Sequence, residues 1–333
     1  MAIEDFEALV VQKSDRGTEA NIVRRTLRDL PKGNLLVRVS YSSLNYKDAL
    51  AVRGRPGIIR RYPMTPGIDA AGEVVACDNG LFQPGDQVVI TGYDLGTAVP
   101  GGYGRYIRIP SSWAVKLPEG LTPRESMALG TAGFTAALAV LKLRQAELKA
   151  GCRDVLVTGA SGGVGSLAVS MLAAEGCRVV AVSGKREHHP FLRKLGAVEV
   201  VDREKVYGPP DKGLLPERWC GVVDVVGGRM LAEVLKATSA GGAVASCGLA
   251  GSADLPTTVF PFILRGVSLL GIDSVHCPMG IRLRLWNKMA REWKPPFLDE
   301  IATEVRLEEL DEKIDQILAG RLSGRVVVNM QEV

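Results

Sequence analysis

Residues 159–165 read GASGGVG, with glycines at 159, 162, 163 and 165, and they follow the apolar run DVLVT directly and precede a helical pattern. A tight strand-to-helix turn aims backbone N–H groups and a helix N-terminus at a pyrophosphate, and glycine lets phosphates approach the backbone. The spacing is G-x-x-G-x-x-G rather than the usual G-x-G-x-x-G, and a turn that only packs a helix on a strand asks for similar residues. About twenty residues on, an NAD site places an acid for the ribose hydroxyls. Here the run RVVAVS ends instead in Ser183, Gly184 and Lys185. A carboxylate would repel a 2′-phosphate, whereas a hydroxyl beside an ammonium group attracts it. The expected cofactor is therefore NADP(H), with Arg203 in VVDR as a second cation. The alternative reading of Lys185 and Arg186 is a solvated basic loop.

A catalytic zinc needs cysteine, histidine and carboxylate ligands. The chain has three histidines, His188 and His189 in the presumptive cofactor half and His276 beside Cys277. That sparse donor set predicts no metal site. It favours hydride delivery to an already conjugated, electrophilic carbon over oxidation of a plain alcohol.

Elements must position these groups. From residue 1 to about 120, short alternating runs such as Leu35 to Ser43 and Gly85 to Thr91 are punctuated by glycine and proline, which predicts a β-rich domain. At Thr122 the pattern becomes helical, with Glu125 three places on forming a capping box around Pro123. Beyond residue 153, strands (DVLVTG, RVVAVS, EVVD, GVVDVVG, GAVASCG, VSLLGID) alternate with helices (GVGSLAVSMLAAEG, HPFLRKLGA, MLAEVLKATSAG), implying a doubly wound parallel sheet. The C-terminal part returns through the helices MGIRLRLWNKMAREW and LEELDEKIDQILAG to a last strand, RVVVNM, whose natural home is the first domain.

At 333 residues, 46% apolar and 23% charged, the composition is that of an ordinary globular protein. A net charge of +4 with interspersed signs argues against a nucleic-acid partner. The opening MAIEDFEALVVQKSD is too acidic for a secretory signal, and no uninterrupted apolar run reaches the ~20 residues that span a bilayer, so a cytoplasmic protein without a membrane partner is expected. Six scattered cysteines suit reduced thiols.

The ordered motifs SSLNYKDAL (42–50), RRYPMTPGIDAAGEV (60–74), GTAGFTA (130–136), VTGASGGVG (157–165), VVAVSGK (179–185) and CGLAGSADLPTTVFPFILRGVSLLGIDSV (247–275) resemble the zinc-free quinone-reductase branch of the medium-chain dehydrogenase/reductase family. Within it, the likeness is to the NADPH-dependent acrylyl-CoA reductase group, over essentially the whole chain. The resemblance implies an α/β protein: a GroES-like β-rich catalytic domain over 1–124 and 274–333, and a Rossmann NADP-binding domain with a doubly wound parallel sheet over 125–273. It implies cofactor contacts at Tyr46, at Ser161, Gly162, Gly163 and Val164, and at Ser183, Gly184, Lys185 and Arg203. It adds Leu249, Ile263, Ser274 and Gly320. Leu44, Asn45 and Gly67-Ile68-Asp69 stand where zinc-dependent members carry a ligating cysteine or a Gly-His-Glu segment. In GGYGRY, Gly104 and Arg105 depart from the Ala-Glu or Ala-Gln of similar proteins, which puts the local strand edge in question. A homodimer formed by pairing VSLLGI with its twin is also implied.

On this basis the expected substrate is a small molecule, an α,β-unsaturated acyl-CoA, with a quinone or enone as the alternative. A non-enzymatic binding role has little support. Tyr46 is the first catalytic candidate, because a phenol can hydrogen-bond the cofactor ribose or a developing enolate, or hand over a proton. Asp48 is the second, orienting Tyr46 or Lys47, or else only capping a helical turn. Arg53, Arg55, Arg60 and Arg61, which follow directly, are candidates for the phosphates of coenzyme A.

Overall fold

The computed structural model describes residues 5–15, 17–146 and 154–331. The chain forms two compact units, one of Met1–Thr131, Val275–Ala290 and Leu298–Val333, the other of Ala132–Ser274 and Arg291–Phe297.

In the first unit, β1 (Asp5–Ser14) and β2 (Gly17–Thr26) form an antiparallel ribbon. There follow β3 (Leu35–Leu44), helix α1 (Tyr46–Val52), β4 (Asp69–Cys77), β5 (Gln87–Thr91), β6 (Tyr106–Ile109) and β7 (Val115–Lys116). Helix α2 (Pro123–Gln145) carries the chain from one unit to the other. Its start follows the sequence signature: the Glu125 N–H donates to Thr122 Oγ1 at 3.1 Å and the Thr122 N–H donates to Glu125 Oε2 at 2.9 Å. Although α2 is long and apolar enough to cross a bilayer, 83% of its most apolar stretch is buried, so that surface is used in packing.

The second unit alternates β8 (Val155–Val157), α3 (Gly163–Ala174), β9 (Val179–Val182), α4 (His189–Lys194), β10 (Ala197–Val201), β11 (Trp219–Asp224), α5 (Gly228–Ala237), β12 (Thr238–Ser246), α6 (Phe260–Arg265) and β13 (Ser268–Gly271). All its strand pairs are parallel, in the order β10-β9-β8-β11-β12-β13. This is the doubly wound order whose direction reverses between β8 and β11, where such folds bind ligands at the strand C-termini. Val180, Val222, Val244 and Leu235 are among the buried residues that pack its helices on the sheet.

The chain then returns to the first unit through α7 (Met279–Met289), α8 (Leu298–Ile301), β14 (Ala302–Arg306), α9 (Leu310–Leu318) and β15 (Arg325–Asn329). The run RVVVN joins the first unit's sheet as expected. Arranged β14-β15-β3-β4-β5-β7, this sheet has β15 antiparallel to β3, while β6 pairs the same strand.

Three expectations need correction. The helix read as continuing to residue 241 stops at Ala237: Thr238 donates its hydroxyl to Val234 O at 2.7 Å and begins a strand. The short elements α1, α6 and β14 were not distinguished, because none spans enough residues to display a period. Finally, Cys220 is disulfide-bonded, while Cys77, Cys177, Cys247 and Cys277 are free. Scattered spacing carries no information about which thiols a fold brings together.

Candidate functional site

The glycine turn follows β8 in the second unit. Gly159 adopts φ 56°, and a Cβ at Gly165 would fall 2.3 Å from Gly159 O, so no side chain fits where α3 packs against the turn. Thr158 donates its hydroxyl to Asp224 Oδ1 at 2.7 Å, and Asp224 Oδ2 accepts from Gly227 N–H at 2.8 Å. These bonds tie the C-terminal ends of β8 and β11 together at the switch point. Burial raises the Asp224 carboxyl pKa, opposed by its bonds from Thr158, Gly227 and Val226.

At the tip of β9, Ser183 is buried and donates to Ser161 Oγ at 3.3 Å, while its own Oγ accepts from the Lys185 N–H at 3.2 Å. His189 Nε2 lies 3.0 Å from Ser183 O. A Cβ on Gly184 would sit 3.4 Å from Arg203 Nη2, so the guanidinium lies against the turn. Burial lowers the Lys185 pKa and Glu187 opposes the shift. Ser161, Ser183, Gly184, Lys185 and Arg203 thus converge on one strand tip beside the glycine turn. A hydroxyl, an ammonium and a guanidinium with a helix N-terminus suit an anionic dinucleotide. Leu249, 59% exposed, also lies at this end, its Cα 3.3 Å from where a Gly227 Cβ would stand. Ile263 on α6 is exposed, and Ser274 Oγ accepts from Thr135 Oγ1 at 2.9 Å.

In the first unit, Tyr46 is the first residue of α1 and is 41% exposed. Beneath it lies a buried polar cluster. Asp48 Oδ2 accepts from Asn45 N–H at 2.9 Å, Asp48 Oδ1 accepts from Ile68 N–H at 2.9 Å, and Asn45 Nδ2 donates to Asp48 Oδ2 at 3.2 Å. The carboxylate therefore caps α1 and holds the 67–69 loop, with bonds running to Asn45 and Ile68 rather than to Tyr46 or Lys47. Burial, then the charge of Asp69, pushes its pKa from 3.8 to about 7. Asp69 accepts from Ser43 Oγ (2.6 Å), Asn45 Nδ2 (2.8 Å), Thr131 N–H (2.8 Å) and Thr131 Oγ1 (2.5 Å). Fully buried Arg325 stands 3.9 Å from Asp69 and donates to Leu44 O, Asn45 Oδ1, Ser43 Oγ and Ala128 O. Its pKa is lowered by burial, against the pull of Asp69 and Asp48. Sequence reasoning missed Arg325 and Thr131; an arginine opening an otherwise apolar strand was the available signal, since a buried charge requires partners.

The four arginines divide. Arg53 is held by Asp311 and Asp315 of α9, at 2.7 Å each, and Arg60 pairs with Asp94 at 3.1 Å. Arg55 is exposed and its side chain has no partner among the described residues, and the Arg61 side chain makes one long bond to Ala98 O at 3.5 Å. Gly320 closes α9 with φ 65°. At the strand edge in question, Arg105 Nη1 donates to Val39 O at 2.6 Å and Met330 O at 2.7 Å, so this departure stitches the strand ends.

Residues 31–119 match the model of the alcohol dehydrogenase GroES-like domain, and residues 163–289 that of the zinc-binding dehydrogenase. The chain is 46% identical over 98% of its length, and 99% of the relative's, to acrylyl-CoA reductase AcuI of Ruegeria pomeroyi. Protein yhfP of Bacillus subtilis, solved with NAD bound, superposes with TM-score 0.95 at 47% identity, covering 98% of this chain and 99% of that one. The yhdH oxidoreductase of Salmonella enterica, solved in complex with NADP, gives 0.94 at 42% identity, covering 98% and 100%.

The zinc implied by the second domain model does not fit these residues. Among the described residues no three His, Cys, Asp or Glu side chains cluster. At the loop under Tyr46, Leu44 offers no donor, and both oxygens of Asp69 are already committed to Ser43, Asn45 and Thr131. A divalent cation there would also face the Arg325 guanidinium.

Proposed function

The chain belongs to the zinc-free branch of the medium-chain dehydrogenase/reductase family, among the quinone oxidoreductases and acrylyl-CoA reductases, and from that premise we propose that it reduces the conjugated C=C of a small α,β-unsaturated acyl-CoA with NADPH. The observation that carries the substrate class is the 46% identity to an acrylyl-CoA reductase across 98% of the chain. For the cofactor, Ser183, Lys185 and Arg203 gathered at one strand tip favour the 2′-phosphate of NADP(H). Bound NADPH would supply the hydride.

The protein's part is to hold and polarise. The glycine turn and the N-terminus of α3 receive the pyrophosphate. Addition at the β-carbon moves charge onto the thioester oxygen, and a donor aimed at that oxygen stabilises it. The exposed Tyr46 phenol is assigned that role, with the α-proton coming from it or from water. Asp48 acts as a positioning residue through the backbone that precedes Tyr46.

The test is NADPH and NADH oxidation measured with acrylyl-CoA, crotonyl-CoA, a small enone and 1,4-benzoquinone. The proposal expects NADPH with a short enoyl-CoA to give the highest kcat/KM. Faster turnover of the quinone would replace it, and binding of NADPH without any turnover would leave only a binding role.

We further propose a homodimer joined along β13. That strand is the edge of the second unit's sheet, and Val259, Ile263, Leu264 and Leu269 are exposed nearby in sequence. Light scattering should give twice the monomer's 35.6 kDa; a monomer at micromolar concentration rejects the assignment.

A further inference from the structure

We propose that Asn45, clamped by the buried Asp69 and Arg325, is a positioning residue that fixes the direction of Tyr46. The inference rests on the reading of Tyr46 given above and concerns how that side chain is held.

Asn45 immediately precedes Tyr46, and its carboxamide is used on both sides. Nδ2 donates to Asp69 Oδ2 at 2.8 Å and Asp48 Oδ2 at 3.2 Å, while Oδ1 accepts from Arg325 Nη1 at 3.2 Å. The same Nη1 donates to Leu44 O at 3.1 Å, so one guanidinium grips two consecutive residues ahead of the phenol. The clamp draws on distant parts of the chain: β3 supplies Ser43, β4 supplies Asp69, α2 supplies Thr131 and β15 supplies Arg325. Its closeness depends on Gly130, whose absent Cβ would lie 2.5 Å from Asp69 Oδ2, 2.8 Å from Arg325 Nη2 and 2.9 Å from Ser43 Oγ. Gly130 also takes φ 52° and ψ −155°, a backbone conformation that interrupts α2. With that interruption, the Thr131 N–H and hydroxyl both reach Asp69 instead of continuing a helix.

Such a network exceeds what folding the sheet requires. Buried charges are expensive, and an apolar cluster of equal volume would stabilise the unit as well or better. What a fully bonded polar cluster adds is a single, directional arrangement. Here it is built around the residue that precedes an exposed phenol. Helix α1 is also held at its far end, where its C-cap residue Arg53 pairs with Asp311 and Asp315. The backbone that carries Tyr46 is therefore fixed at both ends of a seven-residue helix.

The test compares wild-type enzyme, Asn45→Ala, Tyr46→Phe and the double variant, each saturated with NADPH. It uses whichever substrate of the panel above turns over fastest. Measured quantities are kcat, KM, NADPH affinity by fluorescence and Tm. Asn45→Ala is expected to lower kcat by about tenfold or more while leaving KM and NADPH affinity within about threefold. The double variant should be no slower than Tyr46→Phe alone, because both changes remove the same contribution. Should Asn45→Ala not fold, Asn45→Ser keeps a hydrogen-bonding oxygen at the helix start and is read in the same way. Full turnover in a folded Asn45 variant beside an impaired Tyr46→Phe overturns this inference alone. Additive losses in the double variant, or losses spread equally over KM and cofactor affinity, overturn it as well. Full turnover by Tyr46→Phe refutes the role of the phenol itself.

Discussion

Asp48→Asn should remove a pH dependence from the stability of the first unit. The Asp48 carboxyl is buried, and burial followed by the charge of Asp69 raises its pKa from 3.8 to about 7. A folded-state value above the unfolded one means that the native state binds more protons between the two. Stability is then full below about pH 4, falls as pH rises toward 7, and is level above that. A gap of roughly three units at 1.36 kcal/mol each amounts to about 4 kcal/mol. The asparagine variant cannot ionise and lacks this slope. It also places an NH₂ group opposite the N–H of Asn45 or Ile68, both of which are donors. That clash shifts the variant's stability by the same amount at every pH, so the slope carries the test. The assay must read the first unit alone. Protein equilibrated in urea at several pH values is pulse-labelled with deuterium at one fixed pH, and peptides from β3 and β4 are weighed. Wild-type stability relative to the variant should fall by about 1.4 kcal/mol per unit between pH 4 and 7. A difference that stays flat across that range would refute the assignment of a raised pKa to Asp48.

Two further outcomes are expected. Ser183→Asp combined with Lys185→Ala should raise the KM for NADPH at least tenfold relative to that for NADH, a change of about 1.4 kcal/mol or more; an unchanged NADPH preference would mean the β9 tip does not meet the 2′-phosphate. Arg55→Ala with Arg61→Ala should raise the KM for an acyl-CoA several-fold and leave that for a small enone unchanged, whereas equal effects on both would remove coenzyme A phosphate from the role of these arginines.

The second unit was largely legible in the sequence because its features are local. A parallel sheet with crossover helices announces itself by alternation, and the β8 turn by glycines whose spacing reflects a steric demand: a Gly165 Cβ would meet Gly159 O. The Ser183 and Lys185 pattern is likewise contained in three consecutive residues. Where local signals failed, the elements were short or their pattern was mixed. Helix α6 is six residues long, contains Pro261 and leaves Ile263 and Leu264 exposed, so it has no apolar face to read. Strand β14 alternates imperfectly and exposes Thr303, Glu304 and Arg306.

The first unit's cluster was half legible for the same reason. The pairing of Asn45 with Asp48 spans one helical turn and can be read as a cap. Asp69, Thr131 and Arg325 belong to three separate segments whose meeting is decided by sheet order, with β15 entering beside β3. Burial and the charges of the cluster then account for the raised Asp48 pKa. Two carboxylates share one guanidinium, and Arg325 stands next to Asp69, at 3.9 Å. The donors to Asp48 from Asn45 and Ile68 are neutral. Neutral donors only partly offset the loss of water around a carboxylate, so burial dominates and the raised pKa falls on Asp48. Asp48, two places after Tyr46 and expected to orient it or to cap a helical turn, is thus a carboxyl that the fold encloses, with both oxygens accepting from the N–H groups of Asn45 and Ile68.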